Sequence, residues 1–401
     1  MNRIKKRFLK KLSAKEKFMK KIFIFCMLAL LLVVTAVGKQ PIAALAEGEL
    51  ELTCKSSCLV DYASGTVLYG HNTKAHLPIA SMVKLMTISL VLDEFDEGRM
   101  TEDTMITTSE NASGMGGSQV FIDPYVQYSA ADLLKSVIMA SANDASVALA
   151  EHVSGSESSF VVKMNEKAKK LGMNDTNYVN CTGLPAPEQY SCAHDCAIVL
   201  GEVTGHELYH KFSSVWMDEL THPSGRKTEL VNTNRLVRYY QGCDSGKTGS
   251  TNEAGCCLSA SAERNGMRLI SVVIGANNSQ TRFNECTKLF NYGFANFESK
   301  SILDSRSPVM NLPINKGKAD NIDVFAERGF STVVKKGGQH EFEVTFENPS
   351  KISAPTQNGM TVGKAIISKQ GTVVDEINLI VKENVEKLSL KDCFDRITQA
   401  W

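Results

Sequence analysis

Ala80-Ser81-Met82-Val83-Lys84-Leu85-Met86-Thr87 is the stretch around which the 401-residue chain is organised. Its run of Met, Val and Leu predicts a helix, opened by Ser81, with Lys84 one turn on and on the same face. The hydroxyl and the amine then meet. A serine hydroxyl is a poor nucleophile at neutral pH and needs a neighbouring base to take its proton. Lysine serves as that base when apolar neighbours or a second cation lower its pKa, and Met82, Val83, Leu85 and Met86 supply the apolar neighbours. A serine at a helix start also has exposed backbone N–H groups beside it that can hold an oxyanion. Ser-x-x-Lys alone carries little weight, because about one is expected by chance in a chain of this length.

Residues 1–46 read as an export signal. Residues 1–21 carry ten Lys or Arg against the single acid Glu16, residues 22–37 form an apolar run, and Ala44-Leu45-Ala46 offers a small-x-small cleavage site before Glu47. Met19 gives an alternative start with a shorter basic region. An uncleaved anchor is the rival reading, since such a run crosses a thin bilayer when lysines snorkel; Ala-Leu-Ala favours cleavage.

The whole chain is formally neutral, with 44 basic and 44 acidic side chains, but residues 1–46 hold 11 Lys or Arg and one acid. The remainder has 33 basic and 43 acidic groups, a net charge of −10 that argues against a nucleic-acid partner. Ten cysteines remain. Their even number in an exported chain invites disulfides, with Cys54–Cys58 and Cys192–Cys196 as the pairs to test, yet a chain this long does not need staples, and free thiols are expected. Adjacent Cys256 and Cys257 read as core residues on opposite faces of a strand.

Residues 57–62 and 66–70 predict a β-hairpin that leads into the Ser81 helix. Helical spacing then covers 129–140, 144–152 and 157–171, with Ser141-Ala142-Asn143 as the connection between the first two. Residues 173–190 form a turn-rich loop, followed by short helices at 193–200 and 206–212. Strands are expected at 228–231, 246–250, 255–262 and 267–275, the last two joined across Asn265-Gly266, a strong hairpin signal. A helix over 279–297 follows. This order describes an α+β (mixed α/β) domain over 47–298, in which one sheet is built from both ends of the segment around a helical block. Residues 299–386 alternate in short stretches broken by Gly, Pro and Asn, as in a small all-β domain. Residues 387–401 place Leu390, Phe394, Ile397 and Trp401 on one helical face, suited either to a membrane surface or to docking on the β-domain.

Two further pieces complete a constellation. Ser141-Ala142-Asn143 lies where a short connection aims a hydroxyl and an amide into a cleft. Lys247-Thr248-Gly249 lies on an edge strand, where the glycine lets a substrate approach the backbone. Lys247 brings positive charge, Thr248 a hydroxyl, and the Ser250 N–H a second oxyanion donor beside that of Ser81. Nothing in this chemistry calls for a cofactor or a metal.

Ser81-Met82-Val83-Lys84, Ser141-Ala142-Asn143 and Lys247-Thr248-Gly249 resemble the Ser-x-x-Lys, Ser-x-Asn and Lys-Thr-Gly motifs of penicillin-binding proteins and serine β-lactamases. The wider match, including Asn180-Cys181-Thr182-Gly183-Leu184-Pro185, Asp244-Ser245-Gly246 and Gly266-Met267-Arg268-Leu269-Ile270-Ser271, is similar to the low-molecular-mass D-alanyl-D-alanine carboxypeptidases and covers about residues 50–385. The resemblance implies a penicillin-binding/β-lactamase-type fold with an antiparallel sheet, a helical block and a C-terminal β-domain. It also implies removal of the terminal D-alanine from peptidoglycan stem pentapeptides, with β-lactams as covalent inhibitors, at the outer face of the cytoplasmic membrane or in the wall. Ser81 is then the nucleophile, Lys84 the base and Ser141 the proton relay to the leaving amine. Asn143 holds the substrate amide, Lys247 and Thr248 hold the terminal carboxylate, and Gly249 and Ser250 line the binding strand. Some family members carry an arginine between two asparagines ahead of the third motif; here Asn232-Thr233-Asn234 has threonine.

Three rival readings differ in testable ways. A class A β-lactamase adds a Glu-x-x-Leu-Asn on the loop after the second motif, but Glu188 is followed by Gln189, Tyr190, Ser191 and Cys192. His206-Glu207-Leu208-Tyr209-His210 satisfies the His-Glu-x-x-His zinc pattern, yet Ser213 and Trp216 stand where a third histidine would be sought, and the helix after Gly205 is short. A β-lactam sensor would share all three motifs and acylate without turnover.

Overall fold

A computed structural model describes residues 50–338 and 342–399. The expected export signal, His340 and Trp401 therefore lie outside the described residues. Strands β1 (Ser56–Asp61) and β2 (Val67–His71) form the first hairpin. About 170 residues later come β3 (Cys243–Thr251), β4 (Gly255–Arg264) and β5 (Met267–Ala276). All five join one antiparallel sheet in the order β2-β1-β5-β4-β3. Cys58 pairs with Gly70 on one side and with Val272 on the other, so the two ends of the segment meet inside the sheet. The turn from β4 to β5 has Asn265 at φ 51° and Gly266 at φ 73°. Both are in the left-handed region that two-residue hairpins require.

Both faces of this sheet are covered, and strand alternation divides the apolar residues between them. Cys58, Val60, Ile270, Val272 and Ile274 face the helical block, while Leu59, Leu269 and Val273 pack with Phe283, Cys286, Leu289 and Phe290 of the helix Ser279–Asn296. Cys257 joins the first core and Cys256 the second, on opposite faces as the sequence implies. Within the helical block, α1 (Lys84–Asp96) is buried at every residue from Lys84 to Leu92. Burying each of its large apolar side chains stabilises the fold by about 1.5–3 kcal/mol. Around it lie α2 (Ala130–Ala140), α3 (Asn143–Ser154), α4 (Glu157–Lys170) and α5 (Ala193–Thr204). Side chains of Ser129 and Ser156 cap α2 and α4 by accepting from Asp132 N and Ser159 N.

A hairpin that the sequence reading had only in part, Met217–Thr221 with Lys227–Val231, lies between the helical block and β3. Its first strand reads Met-Asp-Glu-Leu-Thr and buries only Leu220, so it carries little strand signal. From Phe297 onward the chain is all β until its last helix, with a six-stranded sheet and the separate pair Phe297–Leu303 with Phe330–Lys335. Val324, Ala365, Ile367, Leu379 and Val381 are fully buried in its own core. The final helix, Leu390–Gln399, is tied to this domain by Arg396, which reaches Asp320 at 2.9 Å and the Lys318 carbonyl at 2.6 Å. Leu390 and Phe394 stay 83% and 68% exposed. All ten cysteines from Cys54 to Cys393 are free, and eight of them are buried.

Candidate active site

Ser81 does not open the α-helix. It lies in a 3-10 turn, Ala80–Val83, that precedes α1, and Ala80 there has φ 48°. A 3-10 turn has three residues per turn, so positions i and i+3 eclipse, and the spacing still brings Lys84 over the serine. Lys84 Nζ lies 3.1 Å from Ser81 Oγ. The amine is fully buried and also donates to the Thr182 carbonyl. Burial disfavours its charged form and lowers its pKa to about 7, against smaller opposing effects from Cys181 and Asp144.

The loop that supplies Thr182 is ordered by one amide: Asn180 Oδ1 accepts from Gly183 N at 2.7 Å and Thr182 N at 3.2 Å. Gly183, at φ 81°, passes so close to the Ser81 turn that a Cβ there would lie 2.1 Å from the Ala80 carbonyl oxygen. Any side chain at this position would displace the turn that carries Ser81.

The second motif sits at the junction of α2 and α3. Ser141 takes a left-handed conformation, φ 62° and ψ 31°, which ends α2 and turns the residue out of the helix. Its Oγ is buried with no hydrogen-bond partner among the described residues. Asn143 begins α3; its Nδ2 donates to the Gly116 carbonyl at 2.6 Å, while its Oδ1 is also buried and unpartnered. Buried polar atoms are normally hydrogen-bonded, so each of these two is a place where a polar ligand would be satisfied. Asp144, fully buried, accepts from the backbone N–H groups of Val120, Ile122 and Ala145, and so pins the loop that contains Ser118.

The third motif runs along β3 at the sheet edge. Lys247 is fully buried, with Nζ donating to the Thr248 carbonyl at 3.2 Å. Burial lowers its pKa well below the usual lysine range, and the nearby Lys84 and Arg282 charges lower it further. Gly249 abuts the Ser81 turn as well, where an added Cβ would lie 3.1 Å from Ser81 N.

These three segments open onto one cavity of about 660 Å³ whose lining includes Ser81, Ser141, Thr248, Gly249, Ser250 and Arg282. Lys84, Lys247 and Asn143 stand behind that lining. Ser250 Oγ lies 3.6 Å from Cys256 Sγ on the next strand. Sequence reasoning missed Arg282, which is only 9% exposed and donates from Nη1 to the Gly249 carbonyl at 3.1 Å. A single arginine in the first turn of a helix 30 residues beyond the motif leaves no pattern to read. Thr233 also lines the cavity, so a guanidinium is present although position 233 does not supply it.

The His-Glu-x-x-His pattern does not form a metal centre here. His206 precedes the helix Glu207–Ser213 and bonds Asp96 at 2.9 Å, while His210 Nε2 bonds the Thr204 carbonyl at 2.8 Å. The two imidazoles face different partners.

Comparison with known proteins follows the same division of the chain. Residues 43–278 match the D-alanyl-D-alanine carboxypeptidase family, and residues 297–387 match the penicillin-binding protein 5 C-terminal domain. The chain is 38% identical over 354 residues to D-alanyl-D-alanine carboxypeptidase DacF of Bacillus subtilis, covering 88% of this chain and 91% of that protein. Penicillin binding protein 5 from Haemophilus influenzae is similar in structure at TM-score 0.67 and 32% identity, over 85% of this chain and 100% of that one. Penicillin-binding protein D2 from Listeria monocytogenes, solved in an ampicillin-bound form, is 31% identical at TM-score 0.55, over 62% of this chain and 100% of that one.

Proposed function

The chain belongs to the D-alanyl-D-alanine carboxypeptidase family of penicillin-binding proteins, and from that membership we propose how its own residues carry the reaction. The protein is a serine-type carboxypeptidase that removes the terminal D-alanine from peptidoglycan peptides through an acyl-enzyme, and penicillin inhibits it. The observation that carries the assignment of residues is the buried Lys84 amine 3.1 Å from Ser81 Oγ, beside the cavity.

With its pKa near 7, Lys84 is substantially neutral at physiological pH. One N–H is held by the Thr182 carbonyl, which leaves the lone pair for the Ser81 hydroxyl. Ser81 Oγ attacks the carbonyl of the D-Ala-D-Ala bond as Lys84 takes its proton. The backbone N–H groups of Ser81 and Ser250 hold the oxyanion. Ser141 passes a proton to the departing amine, and its unpartnered Oγ suits that relay. Asn143 holds the substrate amide. Thr248, the Lys247 side chain beside it and the Arg282 guanidinium receive the terminal carboxylate. Water then hydrolyses the ester. Penicillin offers a strained amide and a carboxylate to the same groups and acylates Ser81.

The same reading places the protein outside the cytoplasm, acting in wall maturation and cell shape, with residues 1–46 as its export signal. The exposed Leu390 and Phe394 of the last helix give it a means of resting on the outer face of the cytoplasmic membrane. Among the described residues no helix is long and apolar enough to cross a membrane. Co-sedimentation with anionic vesicles tests this: binding that Leu390→Asp with Phe394→Asp abolishes is expected, and equal binding by that variant contradicts it.

Catalysis is tested by assaying D-alanine release from diacetyl-Lys-D-Ala-D-Ala with purified protein and its Ser81→Ala variant. Release by the first and not the second is expected. Penicillin labelling without any release would instead fit a sensor.

A further inference from the structure

The cavity continues past the groups assigned to the terminal carboxylate. Its lining there includes Trp216, Val231, Arg235 and Tyr239. Tyr239 meets Trp216 edge to face, with 6.0 Å between ring centroids, and the Arg238 guanidinium lies over both rings at 5.4 and 5.6 Å. This wall adjoins the Arg282 end of the cavity, because the Arg235 charge is close enough to disfavour the Arg282 cation. Val231 and Tyr239 remain 38% and 69% exposed, so the apolar surface is open.

The positive charge here exceeds what one terminal carboxylate needs. Among the described residues, arginine ion pairs are made by Arg99, Arg226, Arg268, Arg306, Arg328 and Arg396. Arg235, Arg238 and Arg282 have no such partner, in a chain whose residues 47–401 carry ten more acids than bases. A guanidinium stacked on aromatic faces keeps its in-plane N–H edge free for a second carboxylate. D-Alanine, with only a methyl side chain, brings no second carboxylate to these guanidiniums.

We propose that Arg235, in the cavity lining, and Arg238, over the Trp216 and Tyr239 rings, form a subsite for a second anion, so that the enzyme also releases C-terminal D-residues with a long, carboxylate-bearing side chain. The inference rests on the acyl-enzyme reading above. The α-carboxylate stays with Thr248 and Arg282, while the side-chain carboxylate extends to Arg235 and Arg238. The chemistry is unchanged: the amide C–N bond breaks as the ester to Ser81 Oγ forms, the hydroxyl proton ends on the leaving amine, and water splits the ester.

The test measures kcat/KM for diacetyl-Lys-D-Ala-D-Ala and for the same peptide ending in D-Glu or D-Lys, using the enzyme and its Arg235→Ala, Arg238→Ala double variant. The D-Glu peptide is expected to be cleaved well, and about tenfold better than the D-Lys peptide, as loss of a charged hydrogen bond implies. The double variant should lose that preference while keeping its D-alanine release, which also reports that it is folded. Release of D-alanine without D-glutamate, or equal use of D-Glu and D-Lys, overturns the subsite alone. Release of nothing from any peptide overturns the acyl-enzyme reading with it.

Discussion

A Cβ on Gly249 would lie 3.1 Å from the backbone nitrogen of Ser81 and 2.5 Å from the Ile79 carbonyl oxygen. The edge strand and the Ser81 turn therefore touch backbone to backbone, and in the proposed mechanism that contact sets the two oxyanion donors. Gly249→Ala should slow acylation by a fluorescent penicillin about a hundredfold, the usual cost of misplacing reacting groups by an ångström. A rate within twofold of the parent would show that the turn is not held by this strand.

The pH profile follows from Lys84. Its amine must be neutral to act as base, and burial lowers its pKa to about 7. kcat/KM for D-alanine release should thus rise with pH as the amine deprotonates, reaching half its plateau near 7. An ordinary lysine, at about 10.4, would place that limb some three units higher.

Asp144 gives that limb a handle. It is a fully buried carboxylate whose charge favours the Lys84 cation, and its oxygens accept from Val120 N and Ile122 N. Asp144→Asn removes the negative charge, so the Lys84 pKa falls and the acid limb moves to lower pH. The same change weakens the anchor of the Ser118 loop and should cost about 1–3 kcal/mol of stability. A profile that stays in place while stability falls would leave Asp144 with a purely structural part.

Arg282 should separate binding from chemistry. Arg282→Ala removes a guanidinium expected at the substrate carboxylate and the donor to the Gly249 carbonyl. KM for the dipeptide end should rise about tenfold or more, as loss of a charged hydrogen bond predicts, with kcat less affected. Equal loss from kcat and kcat/KM would place its effect in the transition state instead.

The thiols are a check on compartment chemistry. With Cys256 partly exposed, Cys393 exposed and the other eight buried, folded protein lacking residues 1–46 should offer two thiols to Ellman's reagent, and unfolding should release the buried ones. A melting temperature that drops under reductant would reveal a disulfide that the free-thiol structure does not contain.

Much of this site was legible in the sequence because its parts sit in short, chemically distinctive runs. Ser81 with Lys84, Ser141 with Asn143, and Lys247 through Ser250 are each read from neighbouring residues, and Asn265-Gly266 marked the turn that fixes the register of β4 on β5. What escaped depends on distant contacts. The 3-10 turn that carries Ser81 packs closely against Gly183 of a loop and Gly249 of the edge strand, contacts that no local propensity encodes. Met217–Thr221 is a strand only because Lys227–Val231 pairs with it. Arg282, Arg235 and Asp144 gain their importance from what folds against them, and a lone charged residue in a helix carries no sign of that.

The convergence of three distant segments on one reacting hydroxyl is tested most directly by digesting the penicillin-treated protein and locating the acyl group by mass spectrometry. The mechanism predicts a single acylated residue, Ser81, with neither adduct nor D-alanine release in Ser81→Ala. An adduct on any other residue, or D-alanine release that survives in Ser81→Ala, would contradict it.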